Sequence, residues 1–137
     1  MRKHCNRRVT NARPPMIAVL HLIKELSITE RLSVEAFSGG YAGTDHYDNL
    51  ADCRDMIALA AKGDDQAEAI AELAYVALAN IRDRQAKTGK FGATGDELQA
   101  LRALADFSED FWKRKAGTVF EATYIALRLE RTGQKAR

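Results

Sequence analysis

Between Asp64 and Phe111, apolar residues recur every three or four positions on both sides of one glycine-rich interruption. Few folds accommodate that pattern. It specifies two long helices joined by a turn. The first reads from Asp64 or Asp65 to about Lys87, with Ile70, Leu73, Ala74, Ala77 and Ile81 on one face. In the turn, Gly89 suits the left-handed position that closes a helix. Thr94 and Glu97 have the Thr-x-x-Glu spacing that opens the next one. Leu98, Leu101, Leu104, Ala105, Ser108 and Phe111 then resume the helical period. A long helical hairpin is the expected centre of the fold.

The flanking segments add helices. Residues 1–14 are polar, basic and without period, which predicts a flexible arm. Pro14-Pro15 forms a junction, with Pro15 suited to a first helical turn. Ile17, Leu20, Ile23 and Leu26 mark an apolar stripe that Leu32, Val34 and Phe37 continue. Ser27 and Glu30 have capping-box spacing, so the helix is expected to restart there. Three glycines within Gly39–Gly43 break the chain. Thr44 or Asp45 caps the next helix, whose inner face is Leu50, Cys53, Ile57 and Ala60 or Ala61, and Lys62-Gly63 ends it. A break or kink is expected near Gly117. Beyond it Thr118 and Glu121 form another candidate capping box. Val119, Phe120, Ala122, Ile125, Ala126 and Leu129 carry the apolar pattern on to Thr132-Gly133, with residues 133–137 a polar tail. At 137 residues and 46% apolar, with only two prolines, the chain reads as all-α. The expected form is a single-domain bundle of four to six helices over residues 15–132.

Charge is unevenly placed. Five of the 21 basic residues and none of the 19 acidic ones fall in residues 1–14, so a net charge of +2 divides into a +5 arm and a −3 body. Such an arm suits phosphates or an acidic protein surface as well as simple solubility. Cys5 and Cys53 belong to no metal-binding or redox motif, and reduced thiols are expected, with Cys53 buried. No apolar run approaches the roughly 20 residues of a membrane span. The apolar stretch at Met16–Ile23 is interrupted by His21 and follows two prolines, which does not make a signal peptide. A cytoplasmic protein is expected.

Catalytic chemistry has little to stand on. His46 lies near Asp45, Asp48 and Asp52, a combination able to bind a metal or move protons. Asp48 and Asp52 are equally spaced for a solvated helix face, and the ligand-rich motif of a metal site is absent. His21 reads as a core or boundary histidine. Thr88-Gly89-Lys90 fails as a phosphate-binding loop, because Gly-x-x-x-x-Gly-Lys-Ser/Thr does not occur. No serine sits in a nucleophile elbow, and Glu109-Asp110, being adjacent on a helix, diverge. No enzyme, cofactor or metal is expected.

Binding residues are easier to nominate. The basic candidates are Arg7, Arg8 and Arg13 in the arm, Arg82, Arg84, Lys87 and Lys90 around the hairpin turn, and Lys113, Arg114 and Lys115 beyond the second helix. If they converged they would form a phosphate-binding surface. As isolated helix-end cations they would not. Trp112 is the aromatic candidate: Phe107, Phe111 and Trp112 cannot all face one narrow core stripe, so an outlying Trp112 beside Lys113 would suit a protein interface.

Asn6-Arg7-Arg8-Val9 before Pro14-Pro15, together with Arg84-Gln85-Ala86-Lys87-Thr88-Gly89-Lys90-Phe91-Gly92-Ala93-Thr94-Gly95-Asp96-Glu97, resembles a group of small helical accessory proteins encoded by phages and prophages of Gram-negative bacteria. Some of these are labelled Fis-like transcription regulators. The turn here is longer than the three or four residues of a helix-turn-helix. The resemblance carries little function of its own; together with a compact helical domain, no active-site motif and spare aromatic and charged surface, it points to a non-enzymatic protein that binds a host protein or complex in the host cytoplasm. Inhibition of a defence system such as a CRISPR effector is one role of that kind. The alternative is a nucleic-acid-binding regulator. A monomer with the alanine stripe Ala67, Ala71, Ala74 and Ala77 packed within the chain is expected, with a homodimer as the other state.

Overall fold

The computed structural model describes residues 16–115 and 117–135. Arg7, Arg8, Arg13, the expected flexible arm and the last two residues of the expected tail lie outside them. Within them the chain is all helical: α1 (Met16–Gly39), α2 (Thr44–Ala60), α3 (Asp65–Thr88), α4 (Gly95–Arg114) and α5 (Gly117–Lys135). This is the expected all-α bundle, with the α3–α4 hairpin at its centre.

Local chemistry explains the boundaries. Asp64 Oδ1 accepts the Ala67 N–H at 3.0 Å and caps α3. Gly89, at φ 76°, closes it in the left-handed conformation. Thr94 and Glu97 make the reciprocal capping box: Glu97 N–H donates to Thr94 Oγ1 at 3.3 Å, and Thr94 N–H donates to Glu97 Oε1 at 2.9 Å. Gly40 turns α1 off, with the Tyr41 N–H donating to Ala36 O and the Gly40 N–H to Phe37 O. The α4–α5 break falls where expected, with Lys115 extended between the two helices.

Several boundaries differ from expectation. α1 does not restart at Ser27: both Ser27 and Glu30 are buried against other helices and cap nothing. α2 is capped by Gly43, one residue earlier than expected, with His46 Nδ1 accepting the Gly43 N–H at 3.0 Å. α5 already includes Thr118 and continues past Gly133 to Lys135, because one glycine in an otherwise helical segment costs only about 1 kcal/mol.

Two layers of core hold the helices together. In one, Leu104, Phe107, Phe111 and Trp112 of α4 pack on Ala67, Ala71 and Ala74 of α3, Cys53, Met56 and Ile57 of α2, Ile23 of α1, and Phe120 and Leu127 of α5. In the other, Leu101 and Ala105 of α4 meet Leu78 and Ile81 of α3, Leu50 of α2, and Val34 and Phe37 of α1. Early α3 thus meets late α4 and late α3 meets early α4, so the hairpin is antiparallel. The alanine stripe is the buried face of α3, where small side chains let α2 and α4 approach closely. Leu73, expected inside, lies outside on the opposite face, and on α1 Leu20 and Leu32 are likewise exposed.

Candidate functional site

The antiparallel hairpin decides what the basic residues can do together. Arg82, Arg84, Lys87 and Lys90 sit at the turn, whereas Lys113, Arg114 and Lys115 sit at the far end of α4. At 1.5 Å per residue the two groups are separated by about 25 Å. They do not converge. Within the turn group, Arg84 is committed to the fold. Its guanidinium grips both carboxylate oxygens of Glu97 at 2.9 and 3.1 Å and donates to Gly92 O at 2.7 Å. Arg84 is the first cause that holds the Glu97 carboxyl below its ordinary value. Arg82, Lys87 and Lys90 are exposed. In the other group, Lys113 pairs with Glu109 at 3.0 Å, Arg114 donates to Asp110 O and lies over the Phe107 ring, and Lys115 lies over Phe111.

Trp112 is in the core, not at an interface: it is 5% exposed, set edge-on between Phe111 and Phe120. The expectation failed because α4 is enclosed by α1, α2 and α3 together, with Phe120 of α5 closing on Trp112. Phe107, Phe111 and Trp112 are therefore all buried. His21 is corrected in the opposite sense. It is solvent-exposed and pairs with Glu25 at 2.9 Å on the helix surface. His46 is occupied in capping α2. Among the described residues no group of three or more His, Cys, Asp or Glu side chains is arranged to hold a metal ion.

A cleft of about 500 Å³ opens between α1, α2 and α5, walled by Glu30, Asp52, Cys53, Met56, Tyr124 and Arg131 among others. Arg131 Nη2 reaches Asp52 at 2.6 Å and Asp55 at 2.9 Å, tying α5 to α2. Glu30 is the unusual group. It is buried, its Oε2 has no partner among the described residues, and burial pushes its carboxyl up to about 7, against hydrogen bonds from Cys53 and Ser108. Burial also raises the Cys53 thiol, with the Glu30 charge adding to the shift, so Cys53 stays protonated and is a poor nucleophile. This pair suits a structural role better than acid–base or nucleophilic catalysis.

The remaining surface feature is apolar. On the outer face of α3, Leu73 is 62% exposed, Val76 lies one turn on, and Ala69 completes the stripe, with Glu72 and Asp83 beside it. Tyr75, also exposed, stacks under Arg54 at 4.7 Å. α5 carries a second outward stripe at Val119, Ile125 and Leu129. Neither stripe is expected from the sequence reading, which places Leu73 and the α5 residues on core faces and assigns Ala69 and Val76 to none. The clue lay in the width of the pattern: in α5, residues 119, 122, 126 and 129 form one helical series and 120, 124 and 127 another.

No protein-family model matches the chain, and no curated protein or solved structure is detectably similar to it. No helix among the described residues is long and apolar enough to cross a membrane.

Proposed function

We propose that this chain is a non-enzymatic binding module whose partner is a protein of a bacterial host. The observation that carries the reading is the outer face of α3. Leu73 and Val76 stand exposed on a helix that already buries a complete alanine-lined face, so the fold has no use for them there. Acidic neighbours rim the stripe, which favours a partner with an apolar contact and a basic surround. The rigid, doubly capped α3 presents this face without an ordering cost, which favours affinity. The phage-like resemblance is the sole ground for placing the partner in a defence complex such as a CRISPR effector, and for a cytoplasmic location.

The nucleic-acid reading keeps Arg82, Lys87 and Lys90 at the hairpin turn and the basic arm. It loses ground because the two helical basic groups stand at opposite ends and Arg84 is engaged internally. Affinity capture of the tagged chain from host lysate, with and without nuclease, separates the two. A discrete protein that survives nuclease supports the proposal. Retained nucleic acid that vanishes with nuclease, with salt, or on deletion of residues 1–13 contradicts it.

A further inference from the structure

A helix that packs on a bundle by one face needs one apolar stripe, and α5 has two. Phe120, Tyr124 and Leu127 turn inward. Ala122, Ile125, Ala126 and Leu129 turn outward and are exposed, Ile125 at 49% and Leu129 at 67%. At 100° per residue the outward four fall within a third of the helix circumference, opposite the inward set. Their spacing of three, one and three residues matches the seam of a helix–helix contact. Glu121 and Arg128, seven residues apart and of opposite sign, share the flank of α5 between the two stripes, with the Arg128 guanidinium donating to Tyr124 Oη at 2.9 Å.

We propose that the outward face of α5 binds a second copy of this chain as an antiparallel helix pair about a twofold axis. The charges argue for this occupant. When α5 is laid against a reversed copy of itself so that Ala122 of each copy meets Ile125 of the other, Glu121 of each copy comes opposite Arg128 of the other. Edge positions of this kind set orientation and partner choice in paired helices. A parallel pairing sets the Glu121–Arg128 edges of the two copies on opposite sides of the helix pair, so neither charge meets its complement. The contact is self-complementary in one orientation only. It uses a different face from the one assigned to the host partner on α3, so the two interactions are independent. A single crossing of two helices is a small interface, and it predicts a micromolar rather than nanomolar dimer.

Sedimentation equilibrium of the intact chain over roughly 1–300 μM spans that range. The expected result is a reversible monomer–dimer equilibrium. Leu129→Asp should leave the helical circular dichroism intact and the chain monomeric. Glu121→Arg should weaken the dimer by about tenfold or more, because both charge pairs become repulsive. The double change Glu121→Arg with Arg128→Glu should restore it to within about threefold, the pairs being exchanged but intact. A chain that stays monomeric throughout overturns the proposal. So does a dimer indifferent to Leu129→Asp, or a charge exchange that fails to restore association. A chain that dimerises only after residues 1–13 are deleted also overturns it, since the arm would then be the occupant of that face.

Discussion

Glu30 shows how one side chain can set the pH response of this fold. Its carboxyl faces Cys53 of α2 and Ser108 and Glu109 of α4, with Arg31 beside it on α1, and burial raises it to about 7. An unfolded glutamate titrates near its ordinary value of about 4.3. Between these values the folded chain holds a proton that the unfolded chain has lost. Stability therefore falls as pH rises from about 4.5 to about 7, and Glu30 accounts for up to about 3 kcal/mol of that loss. The lowered carboxyls of Glu97 and Glu109 act in the opposite sense and at lower pH, where they begin to protonate. Urea melts of the wild type and Glu30→Gln should converge at about pH 4, below the unfolded glutamate's value, and the variant should be the more stable at pH 8. Equal stability of the two at pH 8 would contradict this account. Trp112 gives the complementary case. Because it fills the space between Phe111 and Phe120, Trp112→Ala should cost about 3–5 kcal/mol in unfolding free energy. A variant that melted like the wild type would return Trp112 to the surface.

Among the elements, the α3–α4 hairpin is the one most completely written in local residues. Asp64, Gly89, Thr94 and Glu97 each act where their chemistry predicts, because caps depend on neighbours within four positions. Thr94→Ala removes the acceptor for the Glu97 N–H and should cost about 1 kcal/mol, read as a drop in melting temperature of about 4 °C. No drop would mean that Arg84 and Gly92 alone hold the turn. Facing directions were less legible. Leu73 shares a helical period with Ile70 and Ile81 yet lies outside, because the buried face of α3 is centred on Ala67, Ala71, Ala74, Leu78 and Ile81, roughly a quarter turn or more away from Leu73. Ser27–Glu30 carries capping-box spacing inside an unbroken helix, since a motif that satisfies helix ends has no work where the turns before and after continue. Trp112 was misplaced for a related reason. Which helices enclose the last turns of α4 depends on where α1, α2 and α5 return, and nothing local to residues 107–112 records that.

For the molecule as a whole, the distribution of surface matters more than any single group. The core accounts for one face of each helix, and the outward faces of α1, α3 and α5 each carry exposed apolar residues, with cations gathered at separate ends. A phosphate-binding protein brings its positive charge together. This fold separates its two helical basic groups by most of the length of α4, about 25 Å. The account accordingly rests on the α3 face as a protein contact. The most direct test is capture from nuclease-treated host lysate by the wild type beside a Leu73→Asp, Val76→Asp variant, with Leu129→Asp as a control that alters the other exposed face. The account predicts one stoichiometric protein retained by the wild type and by the Leu129→Asp control, and lost from the Leu73→Asp, Val76→Asp variant while its helical signal is unchanged. Undiminished capture by that variant, or nucleic acid as the sole retained species before nuclease treatment, would contradict it.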